Sequence, residues 1–345
     1  MKHGGDLLTY ENQYDGELID FSSNINPLGP PNGLNEVLIK SFKEMTTYPD
    51  IKYRKLKTSI SNYLNCPIEN VLVGNGAVEI INNFIIRAKN VIVCTPSFIE
   101  YEERAIAHGK QVRKIPYKKD YTIDIEALKN IKENELLILG NPNNPTGFRI
   151  PQDDLINIYN LVRKAEAFLL LDEAFYEFCP KDYDSIEIFK KYDYEGVGII
   201  RAATKFFALP GIRLGYGCTC VEKVREISKI ELPWSVNTLA DAAGQYIFSH
   251  KEYINKSKDY IAIERKFLFE ELSKIVGIQP YITHTNYILI KLEKWDEEYV
   301  FNFLLKRGLV IRKCSSFKDL DDKHIRVAIK DRANNVRLVE ALKEL

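Results

Sequence analysis

The sequence predicts an α/β protein, with a mostly parallel central sheet in a large domain and a smaller α+β domain after it. Three observations carry that prediction. Between about residues 70 and 220, short apolar runs alternate with longer stretches of helical spacing. The runs are apolar throughout instead of alternating with polar residues, which marks strands covered on both faces. After Trp234 the texture changes to charged helical stretches and a few short strands. The 345 residues are also long for one compact domain.

The elements follow in order. The first 45 or so residues are turn-rich, as in Asn26-Pro27-Leu28-Gly29-Pro30-Pro31, and are expected to form an arm folding back onto the small domain. The expected boundaries are 1–45 for the arm, 46–245 for the large domain and 246–345 for the small one. Val71-Leu72-Val73 precedes Gly74-Asn75-Gly76, and Ile80, Ile81, Phe84 and Ile85 then fall at helical spacing. Val91-Ile92-Val93-Cys94 ends at Pro96, and Leu136-Leu137-Ile138-Leu139 ends at Gly140 and a proline-rich turn. Phe168-Leu169-Leu170-Leu171 ends at Asp172, and Val197-Gly198-Ile199-Ile200 ends shortly before Lys205. One long charged helical region is expected over about 237–275. Tyr287-Ile288-Leu289-Ile290, a helix near 297–307, Leu309-Val310-Ile311, Ile325-Arg326-Val327-Ala328 and a last helix complete the chain.

Composition excludes several classes. Lys+Arg and Asp+Glu both number 48, so nothing points to nucleic acid. The six cysteines are scattered, and only Cys218 and Cys220 lie close, without the partners a metal site needs. Free buried thiols in a reducing compartment are expected. Residues 1–6 are polar and no run reaches the ~18 apolar residues of a membrane span, so a cytoplasmic location with no membrane partner is expected.

In an open α/β sheet, ligands bind beyond the carboxyl ends of the strands. Gly76, Phe98, Asn144, Asp172 and Lys205 each follow one apolar run, and packing alone explains such polar singletons poorly. Lys205 is flanked by Phe206 and Phe207, and burial lowers an amine's pKa and leaves it nucleophilic. Arg213 offers a fixed cation for a phosphate. Asp172 closes a buried strand and needs a cationic partner, although Asp in that place also suits a helix N-cap. Asn144 offers a side-chain amide, in a stretch that also reads as a simple Pro/Asn/Gly turn. Gly76 and Ala77 open a helix whose N–H groups and dipole suit a phosphate, but Glu79 replaces the third glycine of a dinucleotide-binding fingerprint.

Asn141-Pro142-Asn143-Asn144-Pro145-Thr146-Gly147, Asp172-Glu173-Ala174-Phe175 and the segment from Thr204 through Lys205 and Arg213 to Tyr216, in this order, resemble the fold-type I pyridoxal-phosphate enzymes of the aspartate aminotransferase superfamily. The resemblance runs from residue 3 to the C-terminus and is similar to two groups there, threonine-phosphate decarboxylases and histidinol-phosphate aminotransferases. His3-Gly4-Gly5, the stretch Asp20 to Gly29, Pro233 to Asn237, Val310 to Cys314 and Arg326 to Ile329 lean to the decarboxylases. So does Phe175, where many of these aminotransferases carry Tyr.

The resemblance implies pyridoxal 5'-phosphate held as a Schiff base on Lys205, with Asp172 at the pyridine nitrogen and Phe98 stacked on the ring. Gly76, Ala77, Thr204 and Arg213 hold its phosphate, and Asn144 serves both cofactor and substrate. Tyr53 reaches the phosphate of a neighbouring subunit, which implies a homodimer with a shared site. His3, Gly4, Asn24, Arg312 and Arg326 anchor a phosphorylated amino-acid substrate. Ala202 departs from the pattern, because both groups carry Ser or Thr there. The implied reaction is decarboxylation of O-phosphothreonine to 1-aminopropan-2-yl phosphate for the cobalamin nucleotide loop. Histidinol-phosphate transamination is the alternative, and a non-catalytic cofactor-binding regulator is an alternative of another class.

Overall fold

The structure, a computed structural model, describes residues 3–345. The arm contributes a two-residue strand, β1 (Ile19–Asp20). The expected apolar runs become β2 (Val71–Asn75), β3 (Asn90–Thr95), β5 (Glu135–Gly140), β6 (Phe168–Asp172) and β7 (Val197–Ala202). Two further strands, β4 (Val112–Pro116) and β8 (Leu214–Thr219), join them in one seven-stranded sheet of order β2-β8-β7-β6-β5-β3-β4. Neither has an uninterrupted apolar run. β4 is an edge strand with charged residues and a terminal proline, and β8 is interspersed with glycines. β8 runs antiparallel to both its neighbours, and the other pairings are parallel.

The second sheet is built later in the chain from β9 (Ile278–Pro280), β10 (Tyr287–Leu292), β12 (Arg312–Lys313) and β13 (His324–Ala328), in the order β12-β13-β10-β9. Between them β11 (Leu309–Val310) pairs in parallel with β1 of the arm. Phe21 extends that link, accepting from Ala328 N–H at 2.8 Å and donating to Val310 O at 2.8 Å.

The charged region expected as one helix over 237–275 is two, Thr238–Ile247 and Lys251–Leu272. His250 takes a non-helical conformation at the break. Asn237 opens the first helix by accepting from Ala240 N–H at 2.9 Å. The six cysteines are free and buried. Among the described residues no helix is long and apolar enough to cross a membrane.

Candidate active site

A cavity of about 460 Å³ lies beyond the carboxyl ends of the central strands. Ala77 borders it after β2, Phe98 after β3, Asn144 after β5, Asp172 at the end of β6, and Thr204 and Lys205 after β7. Each strand buries its apolar run, and β5, β6 and β7 deliver polar side chains at their tips. Arg312 and Arg326 enter from the second sheet, and His3, Gly4 and Asn24 from the arm.

Asp172 is buried, and its carboxylate meets neutral donors. Tyr101 Oη donates to Oδ2 at 2.7 Å and Ala174 N–H to Oδ1 at 3.0 Å. Burial pushes its pKa up, and the two hydrogen bonds pull it back. Lys205 faces the same cavity. Burial, followed by the positive Arg326, pulls its amine down to about 8.

The start of the helix Ala77–Arg87 corrects one expectation. The Gly76 N–H is spent on Arg213 O at 3.1 Å, so it is not free for a ligand. Ala77 and Val78, which border the cavity, are the helix-opening residues whose N–H groups have no intrahelical acceptor. Gly76 acts instead through its missing side chain, since a Cβ there would lie 2.4 Å from Nη2 of Arg213. Gly215 in β8 has a related task. A Cβ on it would meet Ala77 N at 2.4 Å and hold the helix away from the sheet. Ala202 borders the cavity and is buried, with the Thr204 hydroxyl two residues on.

The two arginines stand directly opposite one another across β12 and β13. Their relative exposures are only 2% and 5%. Arg326 donates to Asn144 Oδ1 and, at 2.8 Å, to Ser22 O, and its Nε has no partner. Asn144 therefore keeps its side-chain N–H₂ as its remaining donor group. Arg312 donates to Ser316 Oγ at 2.7 Å and lies over the Phe317 ring. Burial, and then the charge of Arg326, pulls the Arg312 guanidinium down to about 10.

Asn24 is buried, with its Oδ1 unpartnered. His3 Nε2 lies 3.2 Å from Glu100 Oε1, and the His3 ring meets Phe98 edge-on. Phe175 packs edge-on against Tyr287 and brings no hydroxyl to the cavity. Tyr53 stands apart from this cavity, and its hydroxyl accepts from Val236 N–H at 3.1 Å.

Sequence reasoning missed several contributors. Tyr101 carried a faint signal, three residues after Phe98. Asn26 sits in the turn-rich arm, yet its N–H donates to Lys205 O at 3.0 Å and its side chain to Phe206 O at 2.9 Å. Glu173, next to Asp172, is fully buried and accepts from Asn141, Ser185 and Arg201, tying together the ends of β5, β6 and β7.

Comparison with known proteins gives a consistent picture. The model of the family described as aminotransferase class I and II matches residues 16–342. The chain is 40% identical to a protein of Caldanaerobacter subterraneus provisionally named threonine-phosphate decarboxylase, over 100% of this chain and 96% of that one. It is 32% identical to the histidinol-phosphate aminotransferase of Methanococcus aeolicus, over 95% and 90% of the two chains. A solved histidinol-phosphate aminotransferase from Clostridium acetobutylicum superposes with a TM-score of 0.90 at 38% identity, covering 95% of this chain and 98% of that one.

Proposed function

This chain belongs to the aminotransferase class I and II family, and from that premise we infer that it is a pyridoxal-phosphate enzyme that decarboxylates O-phosphothreonine. The donor set fits the cofactor. A buried carboxylate met by neutral donors suits a protonated ring nitrogen. The Ala77 and Val78 amides, Thr204 and Arg213 suit its phosphate, the Asn144 amide and the Phe98 ring suit its ring, and Lys205 holds it. When bound, the cofactor supplies an electron sink for the pair left at the substrate's Cα.

The observation that carries the substrate class is the arginine pair. Two buried cations directly opposite each other repel, and each has lost water. A small ligand with two separate anions offsets both costs, and O-phosphothreonine carries a carboxylate and a phosphate. The guanidinium fork matches either anion in pairs. Arg312 and Arg326, with His3, Gly4 and Asn24, therefore set the substrate's orientation, and orientation selects which Cα bond breaks. Lys205 Nζ is suited to hold the proton that returns to Cα once CO₂ has left. The product is 1-aminopropan-2-yl phosphate, the aminopropanol phosphate of the cobalamin nucleotide loop. The 40% identity to the provisionally named decarboxylase supports the same reading.

The protein is further proposed to be a cytoplasmic homodimer with a shared site, in which Tyr53 serves the partner's cofactor phosphate. Six buried free thiols suit a reducing compartment. Histidinol-phosphate transamination is the second reading, favoured by the 38% identity to a solved aminotransferase. The reactions separate the two. Purified protein is expected to release one CO₂ per O-phosphothreonine consumed and to make no glutamate from 2-oxoglutarate. Glutamate formed from histidinol phosphate and 2-oxoglutarate, with no CO₂ from phosphothreonine, would replace the decarboxylase with the aminotransferase.

A further inference from the structure

We propose that Tyr101 is a positioning residue of this reaction, whose hydroxyl keeps Asp172 ionised so that the proton between Asp172 and the cofactor stays on the ring nitrogen. The proposal rests on Asp172 being the partner of that nitrogen. Tyr101 lies in the helix Glu100–Ala107, which follows β3 and carries its ring under the cavity against Phe98, with ring centroids 5.6 Å apart. The residue is 2% exposed, and its hydroxyl points at Asp172 Oδ2 from 2.7 Å.

The chain's own groups that act on Asp172 include no cation, so its readiness to face a protonated nitrogen depends on neutral donors. The influences on it are burial, Tyr101 and the Ala174 N–H. Burial favours its neutral form, and the two hydrogen bonds favour the ionised form. A bond to a buried carboxylate is of the strong, charge-assisted kind. Burial, and then the charge of Asp172, holds the Tyr101 hydroxyl well above the usual tyrosine range, so it stays a donor. Of the other ionisable groups nearby, Tyr287 has its hydroxyl committed to Asn143 O at 2.6 Å, and Lys205 is the residue that carries the cofactor. Tyr101 is thus the side chain that supplies Asp172 with a donor. Without it the proton moves from the ring nitrogen to the Asp172 carboxylate, and the ring becomes a poorer electron sink.

Tyr101→Phe removes one oxygen and keeps the ring and its packing. Wild type and variant are loaded with cofactor isotopically labelled at the ring nitrogen, and that nitrogen is read by NMR. The expected result is a protonated nitrogen in the wild type and a resonance shifted toward the unprotonated form in the variant. In the same comparison kcat falls about tenfold, the equivalent of one pKa unit, while KM stays within about twofold. Equal protonation in the two proteins overturns the proposal. Failure of the wild type to hold the cofactor on Lys205 overturns the reading of the site itself, and the proposal with it.

Discussion

A Cβ placed on Gly76 would lie 2.4 Å from Nη2 of Arg213, and the Gly76 backbone sits at a φ of 76°. Both facts bear on one substitution. Gly76→Ala strains the backbone by about 1–3 kcal/mol, because a φ of 76° with a ψ of 162° is a conformation essentially confined to glycine. It also pushes the guanidinium aside, because the far end of a flexible side chain gives way first. Arg213 is the cation assigned to the cofactor phosphate, and a hydrogen bond to a charged group is worth ~1.5–3 kcal/mol. Gly76→Ala is therefore expected to raise the cofactor dissociation constant by about tenfold or more, measured by titrating pyridoxal phosphate into the cofactor-free protein. Unchanged affinity would remove Arg213 from the phosphate site. Ala202 sharpens the expectation, since no hydroxyl at that position shares the load.

At the scale of elements, the arm holds the catalytic loop from outside. Asn26 is buried, and its Nδ2 lies 2.9 Å from Phe206 O, 3.0 Å from Ser257 Oγ and 3.1 Å from Tyr253 Oη. The arm, the Lys205 loop and the helix Lys251–Leu272 thus meet at one amide. Two residues before it, Asn24 borders the cavity, and Asn24 O accepts from Asn286 Nδ2 at 2.9 Å. Asn26→Ala removes the side-chain bonds of this junction while Phe206 O keeps Tyr253 Oη as a donor, a cost of ~0.5–1.5 kcal/mol per bond lost. The urea midpoint of unfolding is expected to fall accordingly, with kcat falling as well because the loop after Lys205 loses its side-chain bond from the arm at Phe206 O. A variant that loses stability but keeps full kcat would make the junction a matter of folding only.

Across the whole molecule, the surface around residues 42–51 is unusually apolar. Phe42, Met45, Tyr48 and Ile51 are each more than half exposed, and Tyr48 stacks on Trp234 with ring centroids 4.4 Å apart. Exposed patches of this kind mark interaction surfaces. Tyr53 follows two residues on, buried in its own chain with its hydroxyl accepting from Val236 N–H. Sedimentation at micromolar concentration is expected to give a dimer, and Tyr53→Phe to speed the loss of cofactor on dialysis. A fully active monomer would contradict both the dimer and the shared site.

Taken alone, the sequence determined the features that depend on neighbours along the chain. An uninterrupted apolar run needs cover on both faces wherever it lies, so β2, β3, β5, β6 and β7 were readable locally. The polar residues closing those runs were readable for the same reason, and the cavity brings Asn144, Asp172 and Lys205 together. Only the tertiary structure decided features whose partners are distant in sequence. Tyr101 reaches Asp172 across 71 residues, and Asn26 reaches Phe206 across 180. Gly76 traded the role of amide donor for that of making room, because Arg213 arrives from the start of β8. The antiparallel direction of β8 and the opposition of Arg312 to Arg326 are likewise matters of strand pairing. Periodicity says which face of an element is buried; it carries no information about which distant backbone or charge will face it there.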